Sequence, residues 1–243
     1  MEFSESEYLN ILEKFKSFII NFDDDDSKNP IKVYLRHDIE VDLEKAVYLA
    51  SLNNTKNVTG TFTIQVVSDF YNIHTPRNLN LIKKIFNYKQ KIGLHYYSEF
   101  RDDKNFNFQD FKEQEHLLNS ALSKLEIEPF KVFSYHRPTS IQLEASRDML
   151  APKGFIDCYS PKFFEYTKDP SKAKIKYMSD SDHEWRYGHP LKENLDEFNT
   201  FQILMHPEEW PIPSAEEVYN SILDTAMERT KSSLQIEYRK YSK

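Results

Sequence analysis

The chain has 243 residues, 39% of them hydrophobic, enough to bury the core of one α/β domain, and the expectation is a single domain over 1–243. Lys and Arg number 32 against 39 Asp and Glu, a net charge of -7, which argues against nonspecific nucleic-acid binding through neutralised phosphates. One cysteine, Cys158, excludes an intramolecular disulfide framework and a Cys-rich zinc site, and four glycines supply no GxGxxG or Walker loop for a nucleotide.

In chain order, residues 4–22 place Tyr8, Leu12, Phe15, Ile19 and Phe22 at helical spacing, which predicts an amphipathic helix. The segment is acidic at its start, with no basic n-region or unbroken apolar h-region. No stretch of the chain is long and apolar enough to span a bilayer. A cytoplasmic protein without a membrane span is the expectation. DDDDSKNP follows as a solvated loop, lacking the glycine and spaced glutamate of an EF-hand.

Strand–helix alternation then begins. A strand at 31–37 leads to the helix DLEKAVYLASLNN, opened by Asp42 as N-cap. The strand TGTFTIQVV, a helix over 78–90, and the strand IGLHYY come next. A long helix over 108–126 carries Phe108, Phe111, Leu118, Ala121, Leu122 and Leu125 on one face. The strand KVFSYH, a short helix over 140–149, and the strand GFIDCYS follow, with Cys158 read as a buried small side chain. KIKYMSDS and TFQILMHP complete seven candidate strands. The last helix spans 214–238, with Ser214 and Glu217 as a capping box.

Such alternation predicts an α/β fold with a parallel sheet covered by helices. Seven strands with polar C-terminal ends favour a distorted seven-stranded (β/α) barrel, with an open sheet as the alternative. Four of the strands, in VYLRHDIE, IGLHYY, VFSYHRP and FQILMHP, run into a histidine at that end, the end where α/β proteins place their sites.

Asp38 and Glu40 are two apart after the first of these strands, so they point the same way. Two carboxylates on one side can divide the work of holding a divalent metal and accepting a proton from water. His95 ends the third strand and joins them as candidate ligand, with Glu99 four residues on as a further one; imidazole with carboxylate suits zinc and related metals. Metal ligands are therefore expected among Asp38, Glu40 and His95, and acid–base residues among Asp38, His136 and His206. Arg137 can fork around a carboxylate. SDSDHEWRYGHP interleaves Asp180, Asp182, His183, Trp185 and Arg186, a pattern suited to sugar hydroxyls and faces, so Asp180, Trp185, Arg186 and Arg137 are the expected substrate contacts. No GxSxG elbow is present, which favours activated water over a covalent nucleophile.

The pieces LRHDIE, KIGLHYY, FSYHRP, SDSDHEWRYG and QILMHPEEW, in this order over about residues 31–210, resemble the polysaccharide deacetylase (NodB-homology) superfamily. The likeness is to its divergent branch associated with surface-polysaccharide biosynthesis. The resemblance implies a distorted seven-stranded β/α barrel and metal-dependent hydrolysis of an N-acyl or O-acyl group on a sugar. It gives the base and metal-binding aspartate of the first motif to Asp38 and Glu40, or to His37 and Asp38 in a register shifted by one. It implies the arginine motif at Arg137 and the late leucine–histidine motif at Leu204 and His206. The second motif's two histidines become His95 and Glu99. The expected substrate is a sugar, nucleotide-linked or lipid-linked. Rival readings are a non-catalytic carbohydrate-binding or scaffold protein on the same fold, and a metal-dependent phosphoesterase.

Overall fold

The structure, a computed structural model, describes residues 3–25, 29–98, 107–150, 152–165 and 173–238. Helix α1 (Glu5–Phe15) starts at Ser4, whose Oγ accepts the Glu7 N–H, and buries Tyr8, Ile11, Leu12 and Phe15. The helical pattern expected to reach residue 22 stops at Phe15. Ile19–Ile20 instead form a two-residue strand, β1, beside β2 (Lys32–Ile39). The reason lies in the sheet: β3 (Thr61–Ile64) pairs only with Arg36–Ile39, and the two isoleucines pair with Val33 and Tyr34, the stretch that β3 leaves open.

The alternation then runs as expected. Helix α2 (Leu43–Thr55) is capped by Asp42, α3 (Pro76–Asn87) follows β3, and β4 (Lys91–Tyr96) leads to α4 (Phe108–Ser123). Next come β5 (Val132–Tyr135), α5 (Ser140–Arg147), β6 (Ile156–Asp157), β7 (Ile175–Ser179), β8 (Thr200–Met205) and α6 (Ala215–Glu237). The strand expected over 154–160 shrinks to β6 because the Asp157 carboxylate accepts the Tyr159 N–H and bends the chain out of the ladder. The capping box expected at Ser214 is half made: Ser214 Oγ accepts the Glu217 N–H, while the Glu217 carboxylate meets that hydroxyl and not the cap's backbone. A complete box opens α5, between Thr139 and Gln142.

All strand pairs are parallel, in the order β6-β5-β4-β3-β2-β8-β7, with β1 off β2. Gly93 allows β4 and β5 to close up, since a Cβ there would lie 2.6 Å from the Val132 carbonyl oxygen. The sheet curls into a half-barrel. Gln202 on β8 donates to the carbonyls of Cys158 and Phe163 beyond β6, and the Tyr159 ring lies 6.4 Å from that of Tyr177 on β7. The two ends of the sheet thus meet through side chains. The expected α/β distorted barrel is the fold observed. Among the described residues no helix is long and apolar enough to cross a membrane.

Candidate active site

Strand alternation on β2 fixes which side chains face inward. Arg36, Asp38 and, just past the strand, Glu40 share one face. His37 lies on the other, stacked on Phe62 at 4.1 Å and bonded through Nε2 to the Tyr8 hydroxyl at 2.8 Å. Burial pushes its pKa down to about 3, so this imidazole is neutral and packed between sheet and helix.

Arg36 is fully buried in the barrel. Its guanidinium donates to Gln202 Oε1 (2.8 Å) and the Tyr159 hydroxyl (2.9 Å), and Nε lies 3.1 Å from Asp38 Oδ1. Thr63 and Ser134 also donate to Asp38 Oδ1, at 2.5 and 3.1 Å. Burial alone would raise the Asp38 pKa, but Arg36 and then His95 outweigh it and hold the carboxyl below its usual range. Arg36, Thr63 and Ser134 were not assigned roles from the sequence. Arg36 was legible as a partner of Asp38, because it stands two residues before it on one strand.

His95 Nδ1 meets Ser134 Oγ at 2.7 Å and Asp38 Oδ2 at 3.5 Å. Its Nε2 points to Glu40 Oε1 at 3.0 Å. His136, at the end of β5, brings Nδ1 to the same oxygen at 2.8 Å, and His206 Nε2 comes within 3.7 Å of it. Burial would raise the Glu40 pKa, but hydrogen bonds from His136 and His95 hold it well below the carboxylate range. Ligand atoms of Glu40, His95 and His136 lie within 4.8 Å of one another. In the tautomer that donates Nδ1–H to Ser134, the bare Nε2 of His95 faces the Glu40 oxygen. Two acceptors this close need a cation between them, a proton or a metal. A carboxylate and two imidazoles, one fixed from behind by Ser134 and Asp38, are a donor set that fits a divalent ion. The second imidazole comes from β5; Glu99 lies outside the described residues.

Across from this group, Asp180 accepts the His206 backbone N–H, His206 Nδ1 (2.7 Å) and Trp210 Nε1 (2.8 Å). Burial would lower the His206 pKa, but the Asp180 charge and hydrogen bond outweigh it and raise it well above that of a free imidazole. Glu208, also buried, has an oxygen with no hydrogen-bond partner; burial, then the nearby Glu40 charge, pushes its pKa well up. The sequence offered only its place in HPEEW as a sign.

Asp38, Glu40, His136, His206 and Glu208 border a cleft of about 1310 Å³. Arg137, at φ 48°, and Arg186, paired with Asp182, stand on its walls. Asp180 and Trp185 do not line it: both Asp180 oxygens serve His206 and Trp210, and the Trp185 ring packs against Phe3 and Trp210 while Nε1 donates to Glu7. The structure therefore brings together Asp38, Glu40, His95, His136 and His206, places Arg137 and Arg186 at the cleft, and sets Asp180 and Trp185 behind it.

No family model and no curated protein matches the chain. Among solved structures it is similar to the chitin deacetylase of the fungal pathogen Colletotrichum lindemuthianum, at 15% identity over 83% of each chain with a TM-score of 0.48. It is also similar to the catalytic domain of a peptidoglycan N-acetylglucosamine deacetylase from Eubacterium rectale, at 14% identity over 84% of this chain and 86% of that one, TM-score 0.48. A CE4 family pseudoenzyme from Bacillus anthracis matches at 14% identity, TM-score 0.46, over 83% of this chain and 62% of that one, so the chain spans under two thirds of that protein's length. Two of these solved structures are thus named as deacetylases and the third as a CE4 family pseudoenzyme.

Proposed function

We propose that the chain is a metal-dependent hydrolase that removes an N-acyl or O-acyl group from a sugar. The observation that carries this reading is the convergence of Glu40, His95 and His136 beside a cleft that His206 also lines, with Asp180 bonded to that imidazole from behind. We assign the metal, zinc by its donor set, to these three residues, with Asp38 close behind His95. When bound, such an ion supplies Lewis acidity toward the acyl oxygen and lowers the pKa of water. Asp38 stays ionised beside Arg36. Its Oδ1 is occupied by Arg36, Thr63 and Ser134, so Oδ2, 3.5 Å from His95 Nδ1, is the oxygen assigned to accept a proton from water. His206, kept protonated by Asp180, donates to the leaving amine or alkoxide. Asp180 acts by holding that charge, and Trp185 by anchoring the loop that carries Arg186. Arg137 and Arg186 orient the substrate from the walls.

The cleft exceeds the roughly 300–1,000 Å³ of ordinary small-molecule sites. That room supports a sugar carried on a nucleotide or lipid, as used in surface-polysaccharide biosynthesis. The test is metal content of the purified protein together with acyl release from N-acetylated and O-acetylated sugars after loading with zinc, nickel or manganese. Metal-dependent release, lost in His206→Ala, is expected. Bound metal with no acyl release would favour carbohydrate binding, and turnover of phosphoesters alone would favour the phosphoesterase.

A further inference from the structure

Helix α6 is the longest helix among the described residues, 23 residues, and only Val218 on it is buried. One side is committed to the domain. Ile222 borders the cleft, and Arg229 donates to the Asp42 and Glu44 carboxylates at 3.1 and 2.7 Å. A second apolar stripe faces away. It consists of Tyr219, Leu223, Met227, Leu234 and Tyr238, with Tyr219 67% and Met227 61% exposed. Thr230 fills the gap between Met227 and Leu234. From Leu223 to Leu234 the steps run four, three and four residues, the repeat of helices that pack along their length, with Tyr219 and Tyr238 each four residues further out.

The stripe matches itself in one orientation. If two copies of α6 lie antiparallel with Leu223 against the partner's Leu234, the same register sets Met227 against the partner's Thr230. A twofold axis then repeats each layer, as a closed homodimer requires. The flanking charges agree. Asp224 and Lys231 occupy one flank of the stripe, a heptad apart, and this register sets Asp224 beside the partner's Lys231, twice by symmetry. A parallel pairing gives neither charge an opposite. An anionic lipid surface suits the helix poorly, since Glu216, Glu217, Asp224, Glu228 and Glu237 outnumber Arg229 and Lys231, and Arg229 is already held by Asp42 and Glu44.

We propose that α6 is a homodimerisation helix, pairing antiparallel with a second copy of this chain about a point between Met227 and Thr230. The same helix walls the cleft through Ile222, so the contact braces one side of the candidate active site in each copy.

The experiment is sedimentation velocity on the full chain over a wide concentration range. A concentration-dependent dimer is expected, with Leu223→Glu/Leu234→Glu monomeric and unchanged in circular dichroism. Asp224→Lys or Lys231→Asp alone should raise the dimer Kd roughly tenfold, and the two together should restore it. Oxidation should cross-link Leu223→Cys/Leu234→Cys. It should not cross-link Leu223→Cys alone, because antiparallel packing separates the two copies of that position by 11 residues from its match, about 16 Å. Cys158 is buried and does not compete. A monomer at every concentration overturns the proposal. So does a dimer indifferent to the glutamates, cross-linking of Leu223→Cys alone, or binding to anionic vesicles that the glutamates abolish.

Discussion

Asp180 grips His206 twice, accepting its backbone N–H and its Nδ1–H, while the Trp210 indole donates to the same carboxylate. The first contact sets where the ring begins and the second which nitrogen is left to face the cleft. The proposed acid is thus held in place and in charge state by one buried carboxylate.

From this follows the first prediction. The protonated form of His206 is present below its raised pKa and lost as pH rises through it. Asp180→Asn removes the largest upward influence, so the alkaline limb of the pH–rate profile should move to lower pH. His206→Ala should lose about 10²- to 10⁴-fold in turnover. An Asp180→Asn enzyme with an unmoved alkaline limb would show that the acid lies elsewhere.

The second prediction separates ligands from their supports. Glu40→Ala, His95→Ala and His136→Ala should each abolish tight zinc binding in calorimetric titration. Ser134→Ala, which loosens the back of His95, should weaken it by about 10- to 100-fold. Equal affinity in the His136→Ala protein would remove that residue from the metal set.

Much of this site was legible in the sequence because β strands transmit direction. Residues 36, 38 and 40 share a face by alternation alone, and histidines at the ends of parallel strands gather at one rim. Partner choice was not legible. That Asp180 serves His206 depends on β7 lying beside β8, and that His136 reaches Glu40 depends on how far the sheet curls. The strand at Ile19–Ile20 was hidden for a related reason: its apolar spacing also fits a helix, and only the open edge of β2 decides between them.

The third prediction concerns pH and stability. Burial raises the Asp157 pKa from 3.8 to about 6, against hydrogen bonds from Ser146 and the Tyr159 N–H. The folded state therefore holds this proton more tightly than the unfolded one. Its contribution to stability is full below the unfolded pKa and is lost as pH rises toward the folded value, an effect of up to about 3 kcal/mol. Asp157→Asn should flatten the wild-type decline between about pH 4 and 6 in chemical denaturation and leave the protein more stable at pH 8. A parallel pH dependence in both proteins would refute this.

A fourth prediction addresses the buried ion pair. Arg36→Met leaves the Asp38 charge in the barrel without its counterion and should cost about 3–5 kcal/mol. Adding Asp38→Asn removes that charge, so the double variant should be less destabilised than the two single losses added together. Strict additivity in urea melts would deny the coupling.

The meeting of the sheet's two ends has a dynamic consequence. Strands β2, β3 and β4 are held by ladders on both sides, whereas β6 is two residues long and touches β7's side of the barrel through tyrosine rings and the Gln202 amide. Opening there breaks few backbone hydrogen bonds, so amide exchange should be fastest along this line and slowest at β2. Tyr159 and Tyr177 also line the cleft, so the wall that gives way most easily is one that a bulky ligand would press against.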